Sequence, residues 1–201
     1  SGMKAVNAIR MAGKELLPLI EGGKGVAVSS GASSGPWALA GGVGTVSAVN
    51  ADAYDENGDI ITQIYQGKTR SDRHQELIQY GIAGGVAQVQ TAHEIRGGQG
   101  ALNINILWEM GGAETILKGI LERTKGMVDG VTCGAGMPYK LAEITASYGV
   151  HYYPIISSAR AFRALWKRAY HKFADFLGAV VYEDPWLAGG HNGLSNSEDP
   201  L

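Results

Sequence analysis

Short apolar runs alternate with helically spaced segments along the whole of this 201-residue chain, and that alternation leaves few folds open. It reads as repeated β/α units around a parallel sheet. Strands are expected at residues 17–20, 45–49, 101–107, 130–133, 151–156 and 179–183. Parallel strands buried on both faces should be continuous apolar runs, and Ile155-Ile156 and Val180-Val181-Tyr182 comply. Between them, residues 113–124 put Ile116, Leu117, Ile120 and Leu121 on one helical face before Gly126. Pro138 suits the first turn of another helix with Leu141, Ile144 and Tyr148 inside and Gly149 as its stop. Residues 159–177 read as one helix, with Phe162, Leu165, Trp166, Ala169, Phe173 and Leu177 in the core and Arg163, Lys167, Arg168 and Lys172 in water. The polar stretch at 50–70 reads as a solvated insertion or a lid.

Six units exceed a small open sheet and fall two short of a closed (β/α)8 barrel, which needs about 250 residues. The expected fold is therefore an α/β TIM-type barrel, incomplete, with strands seven and eight missing. Residues 3–201 form the opening part of a single domain, after Ser1-Gly2, which resembles a scar from tag removal. The polar ending near Leu201 reads as a cut within a loop. Open strand edges would favour a homodimer.

Composition narrows the function classes. With 17 Lys and Arg against 19 Asp and Glu, the net charge of −2 gives no reason to expect nucleic acid or an anionic membrane as partner. A single cysteine, Cys133, excludes an internal disulfide framework. No apolar run approaches the roughly 18 residues of a membrane span, and Arg10, Lys14 and Glu15 interrupt any signal-like stretch. A soluble cytoplasmic protein is expected. Glycine supplies 30 of the 201 residues, about double its usual share of roughly 7%. Many fall in pairs between apolar runs, as tight strand–helix turns require.

In a barrel, the active site is built at the carboxyl ends of the strands. Four segments would converge there. Glu21-Gly22-Gly23-Lys24-Gly25 is either a plain turn or a loop whose backbone approaches a flat ring. Asn103 and Asn105, two residues apart, share one side of a strand; they belong either to an internal hydrogen-bond network or to a cofactor site. Thr132 to Pro138 is a strand–helix turn that lines a pocket or is purely structural, and Cys133 has no charged neighbour to make it a nucleophile. Ala188-Gly189-Gly190-His191, just beyond the sixth strand, sets a histidine among glycines, either as a solvated loop side chain or, as the strand-end position favours, as a general base, since its ordinary pKa of about 6.5 suits proton abstraction near neutrality. The other four histidines have no ligand spacing, so no metal is assigned.

Taken in order, PLIEGGKG, GGVGTVS, ALNINI, GVTCGAGMP and EDPWLAGGHNG resemble the nitronate monooxygenases, formerly 2-nitropropane dioxygenases, over nearly the whole chain from Leu17. FMN-dependent enoyl-ACP reductases share that barrel. The resemblance implies an FMN flavoprotein oxidising alkyl nitronates with O₂, or alternatively an enoyl-thioester reductase using NAD(P)H, or a truncated, non-catalytic fragment of either. It further implies that Gly22, Gly23, Lys24, Asn103, Ala188, Gly189 and Gly190 border FMN and that His191 is the catalytic base. The family commonly has Met where this chain has Lys24. The usual phosphate anchor follows strands seven and eight, and the carboxylates of Glu183 and Asp184 would repel a phosphate. The resemblance therefore predicts that these residues hold FMN weakly or not at all.

Overall fold

The computed structural model describes residues 8–17, 19–21, 30–48, 55, 57, 59–134 and 136–184. Strands β1 (Ile9–Met11) and β2 (Lys14–Leu16) form an antiparallel hairpin. Strands β3 (Val43–Ser47), β4 (Ala101–Leu107), β5 (Gly130–Gly134), β6 (His151–Ile156) and β7 (Val181–Tyr182) form a parallel sheet in chain order. Helices α1 (Gly31–Leu39), α2 (Arg70–Arg96), α3 (Ala113–Arg123), α4 (Leu141–Ser147) and α5 (Ala159–Arg168), with a 3-10 helix at Tyr170–Phe176, fill the connections. Strand order that follows chain order, with helical crossovers, curls the sheet into a half-barrel of the TIM type.

The strands alternate in chemistry although nearly all of their residues are buried. One side carries Val46, Leu102, Ile104, Ile106, Val131, Cys133 and Tyr152 into a core shared with Ile82 and Val86 of α2, Leu117 and Ile120 of α3, Leu141 and Ile144 of α4, and Leu165 of α5. Every second residue faces the other way. Register then aligns Thr45, Asn103, Gly130 and His151 in one row, and Ser47, Asn105, Thr132 and Tyr153 in the next. The concave face is polar because period two separates it from the helix-covered face.

Helix α2 is capped by Thr69, whose hydroxyl accepts the Asp72 N–H while the Asp72 carboxylate receives the Thr69 N–H. It crosses α3 closely. A Cβ on Gly85 would lie 2.3 Å from Ile120 Cδ1, and one on Gly119 would lie 2.5 Å from Ile82 Cδ1, so each isoleucine seats itself over the partner helix's glycine.

The amino ends of the strands are closed by the hairpin. Ala12 (φ 50°) and Gly13 (φ 77°) make its two-residue turn, both with positive φ as a type I′ turn requires. Ile9, Met11 and Leu16 pack on Val43 and Ala101, the first residues of β3 and β4. Lys14 Nζ reaches Gly100 O at 3.1 Å and Asp129 at 2.8 Å. Asp129 also accepts from Arg96 and from the Leu102 N–H, each at 2.9 Å. Burial would raise the Asp129 pKa, but hydrogen bonds from Lys14, Leu102 and Arg96, with the Lys14 charge, outweigh it and hold the carboxyl below its ordinary 3.8.

Several expectations change. The strand expected at 17–20 is only a parallel bridge from Ile20 to Val43, with Val43 N–H donating to Leu19 O and Glu21 N–H to Val43 O; Pro18 lies outside the described residues. The second strand starts two residues earlier than expected, at Val43, and Val49 is outside the described residues. The sixth is shorter than 179–183 and is an exposed edge, with Val181 38% and Tyr182 63% accessible; the apolar run there does not mark a strand buried on both faces. The helix expected over 159–177 breaks at Ala169 (φ −143°, ψ −54°) and continues as 3-10 turns. Leu165 is in the core and Phe162, Ala169, Phe173 and Leu177 pack against it, as the stripe predicts, but the break turns Tyr170 fully inward and Trp166 is 37% exposed. No helix among the described residues is long and apolar enough to cross a membrane.

Candidate functional site

The concave face is assembled from β4, β5 and β6, whose strong outward-facing apolar rows fix which residues turn inward. Asn103 and Asn105, 5% and 7% exposed, both lie on it, as their two-residue spacing requires. Their surroundings differ. Asn105 Oδ1 accepts from Thr132 Oγ1 at 2.9 Å, and Thr132 Oγ1 also lies 3.3 Å from Ile104 O, so this amide belongs in part to a network within the sheet. Asn103, one row deeper, forms no side-chain hydrogen bond among the described residues. Every sealed polar side-chain atom there has a partner, so the unbonded Asn103 carboxamide keeps contact with solvent on the concave side.

Gly130 explains how that amide stays open. It stands beside Asn103 in the sheet, and a Cβ there would lie 2.6 Å from Asn103 Oδ1 and 2.5 Å from Tyr153 Cε2. Only glycine lets the two side chains approach over β5. The Tyr153 ring spans from Gly130 to Gly178, burying a phenol whose pKa is raised by desolvation and by the negative charge of Asp129. Among the described residues of the two concave rows, no Lys or Arg is present. Among the described residues the two rows therefore offer amide and hydroxyl hydrogen bonds and the His151 imidazole, with neither lysine nor arginine for a phosphate.

Cys133 points the opposite way, into the helix-covered core, and burial pushes its thiol up to about 12, only partly offset by the Trp108 N–H. A thiol so rarely ionised near neutrality is no nucleophile, which agrees with its bare sequence context. The turn after β5 is held by Trp108 N–H donating to Gly134 O at 2.9 Å; Ala135 lies outside the described residues. Gly22, Gly23, Lys24, Ala188, Gly189, Gly190 and His191 also lie outside them, and with them the expected meeting of the glycine loop and the imidazole.

Glu21 is a residue whose role the sequence did not reveal. It is 7% exposed; its carboxylate receives Ser34 Oγ and the Thr45 N–H, each at 3.3 Å, and its carbonyl accepts Thr45 Oγ1 at 2.8 Å. These bonds tie the position just before Gly22 to α1 and β3. The signal was an acid inside an otherwise apolar and glycine-rich run, where a buried charge needs partners.

No protein-family model matches the chain, and no curated protein matches it. Among solved structures the chain is similar to FabK from Thermotoga maritima, at 19% identity and a TM-score of 0.48, over 82% of this chain and 40% of that one. The chain thus spans well under half the length of that structure.

Proposed function

We propose that the chain is part of an FMN-dependent oxidoreductase acting on alkyl nitronates. One observation carries the reading: a buried carboxamide, Asn103, with no side-chain hydrogen bond among the described residues, on a polar concave face. An amide offers both a donor and an acceptor, which suits the edge of a flat heteroaromatic ring. The described residues fit such a ring. Asn103 would hold it, and Asn105, already braced by Thr132, would form the rim above. FMN, when bound, supplies the electron chemistry. The resemblance to nitronate monooxygenases assigns to His191 the removal of the proton α to the nitro group, taken up by its imidazole.

The test is anaerobic, with FMN supplied in excess to the full chain. Propane-2-nitronate is expected to reduce the flavin, and His191→Ala is expected to slow the reaction with the neutral nitroalkane by about 100-fold or more. Reduction by NAD(P)H in place of the nitronate would assign the enoyl-thioester reductase instead. Inertness to both would end the oxidoreductase reading for this chain.

A further inference from the structure

The carboxyl-end rim of the sheet carries a second feature that the flavin reading does not use. An open, shallow groove of about 600 Å³ is lined by the exposed side chains of Tyr65, Arg70, Ser71, Arg73, His74 and Leu77. Its walls are held in place. The Tyr80 hydroxyl accepts the Ile64 N–H at 3.0 Å and donates to Ile64 O at 2.8 Å, and the Tyr80 ring meets Tyr65 edge-on at 5.7 Å. Tyr65 is fixed further by its own hydroxyl, which donates to Gln63 at 2.6 Å. On the opposite wall His74 packs over the turn that opens α3, 3.0 Å from where a Cβ on Gly111 would stand.

Three cations, Lys68, Arg70 and Arg73, share this segment with two carboxylates, Asp72 and Glu76, each of which accepts a backbone N–H group. Asp72 is engaged with the Thr69 N–H, and Glu76 accepts the Gln66 N–H at 2.9 Å. Arg70 and Arg73 form no ion pair and no side-chain hydrogen bond among the described residues. Leu77 and Tyr65, each 42% exposed, supply apolar wall beside the two guanidiniums. Leu77 also borders a small hollow with Ala48 and Met110, next to the carboxyl ends of β3 and β4. The apolar surface therefore runs from the arginines toward the sheet.

We propose that this groove binds the oxyanion end of a small amphipathic ligand, a carboxylate or a phosphate monoester, with its apolar body lying on Leu77 and Tyr65. Guanidinium groups suit either oxyanion, because their fork of N–H donors matches two oxygens at once. The site needs no flavin, so its test and that of the flavin reading fail separately.

Calorimetric titration of the full chain, without flavin, with octanoate, octyl phosphate and octan-1-ol reads it out. Both anions are expected to bind saturably at one site, with the alcohol weaker by about tenfold or more. Raising salt from about 50 to about 500 mM should weaken only the anions, because exposed charges are screened over that range. Arg70→Ala/Arg73→Ala should lower anion affinity by about tenfold, with an unchanged far-ultraviolet spectrum. Arg163→Ala/Lys167→Ala, at a separate apolar groove beside Trp166 and Val180, should bind as the wild type does. Tighter octyl phosphate would identify a phosphate monoester, and tighter octanoate a carboxylate. Equal binding of the alcohol, no loss in the Arg70/Arg73 variant, or no saturable binding by either anion would overturn the proposal.

Discussion

Asp129→Ala is expected to lower the unfolding free energy by about 3 kcal/mol, because it leaves a buried guanidinium without its counter-charge. Arg96 has only 5% of its side chain exposed, and Asp129 also holds Lys14 and the Leu102 N–H, so one substitution releases the hairpin and the starts of β4 and β5 together. In a chain of this length that corresponds to a fall in melting temperature of roughly 6–12 °C. Asp129→Asn keeps an acceptor and loses the charge, so its penalty should be smaller. The pH dependence separates charge from shape. Asp129 has its pKa held below 3.8 in the folded chain, so the stability it contributes is complete above the ordinary carboxylate value and is lost as pH falls through the lower, folded one. The stability gap between the wild type and Asp129→Asn, from denaturant titrations, should stay level above about pH 5 and shrink below about pH 4. A gap that grows toward acid would contradict the network.

The second large effect is expected at the break after α5. Tyr170 is fully buried, its ring meets Tyr152 edge-on at 4.9 Å, and its hydroxyl donates to Pro138 O at 2.7 Å. Tyr152 in turn donates to Phe173 O at 3.1 Å, so the two phenols fasten the 3-10 helix to both β6 and the segment before α4. Burial raises the pKa of both, to about 12 for Tyr152, which keeps them protonated donors. Tyr170→Ala should cost about 3–5 kcal/mol in urea unfolding, as large aromatic truncations in cores do. Tyr170→Phe should cost about 1 kcal/mol, by leaving the Pro138 carbonyl without its donor. Near-neutral behaviour of the alanine variant would mean that the 3-10 helix is not part of the core.

These two residues also mark where the sequence was legible. The strands at 101–107 and 151–156 were read with the observed ends, because turn residues bound each apolar run sharply. The shared face of Asn103 and Asn105 followed from period two alone. Tyr170 was missed because an uninterrupted helix places Phe162, Trp166 and Phe173 on one stripe, and nothing local signals that the chain breaks at Ala169. Two helices went unassigned. In α2 the buried Ile78, Ile82, Val86 and Val89 are diluted by Gly81, Gly84 and Gly85, so the apolar stripe is thin; its glycines make sense only once α3 lies across them. In α1 the buried face is Gly31, Ser34, Gly35 and Ala38, too small and polar to read as an apolar stripe, and Pro36 interrupts the pattern. The hairpin was hidden for a different reason: its three-residue strands are too short for alternation to register, and Ala-Gly is a weak turn signal.

At the site, the amide pair was legible as a pair, but its division of labour was not. That Asn105 is braced by Thr132 while Asn103 stays open depends on the β4–β5 register and on the absence of a side chain at Gly130. Glu21 shows the same limit, since its partners Ser34 and Thr45 are remote in sequence.

The direct test is a titration of the full chain with FMN and with riboflavin, followed by flavin fluorescence, in the wild type and in Asn103→Leu. The described rows, which offer hydrogen bonds to a ring and neither lysine nor arginine to a phosphate, predict weak, saturable binding of both flavins, with dissociation constants within about threefold of each other. Loss of the Asn103 amide should weaken both by about five- to tenfold. Indistinguishable titrations of Asn103→Leu and the wild type, or no saturable binding of either flavin, would contradict it.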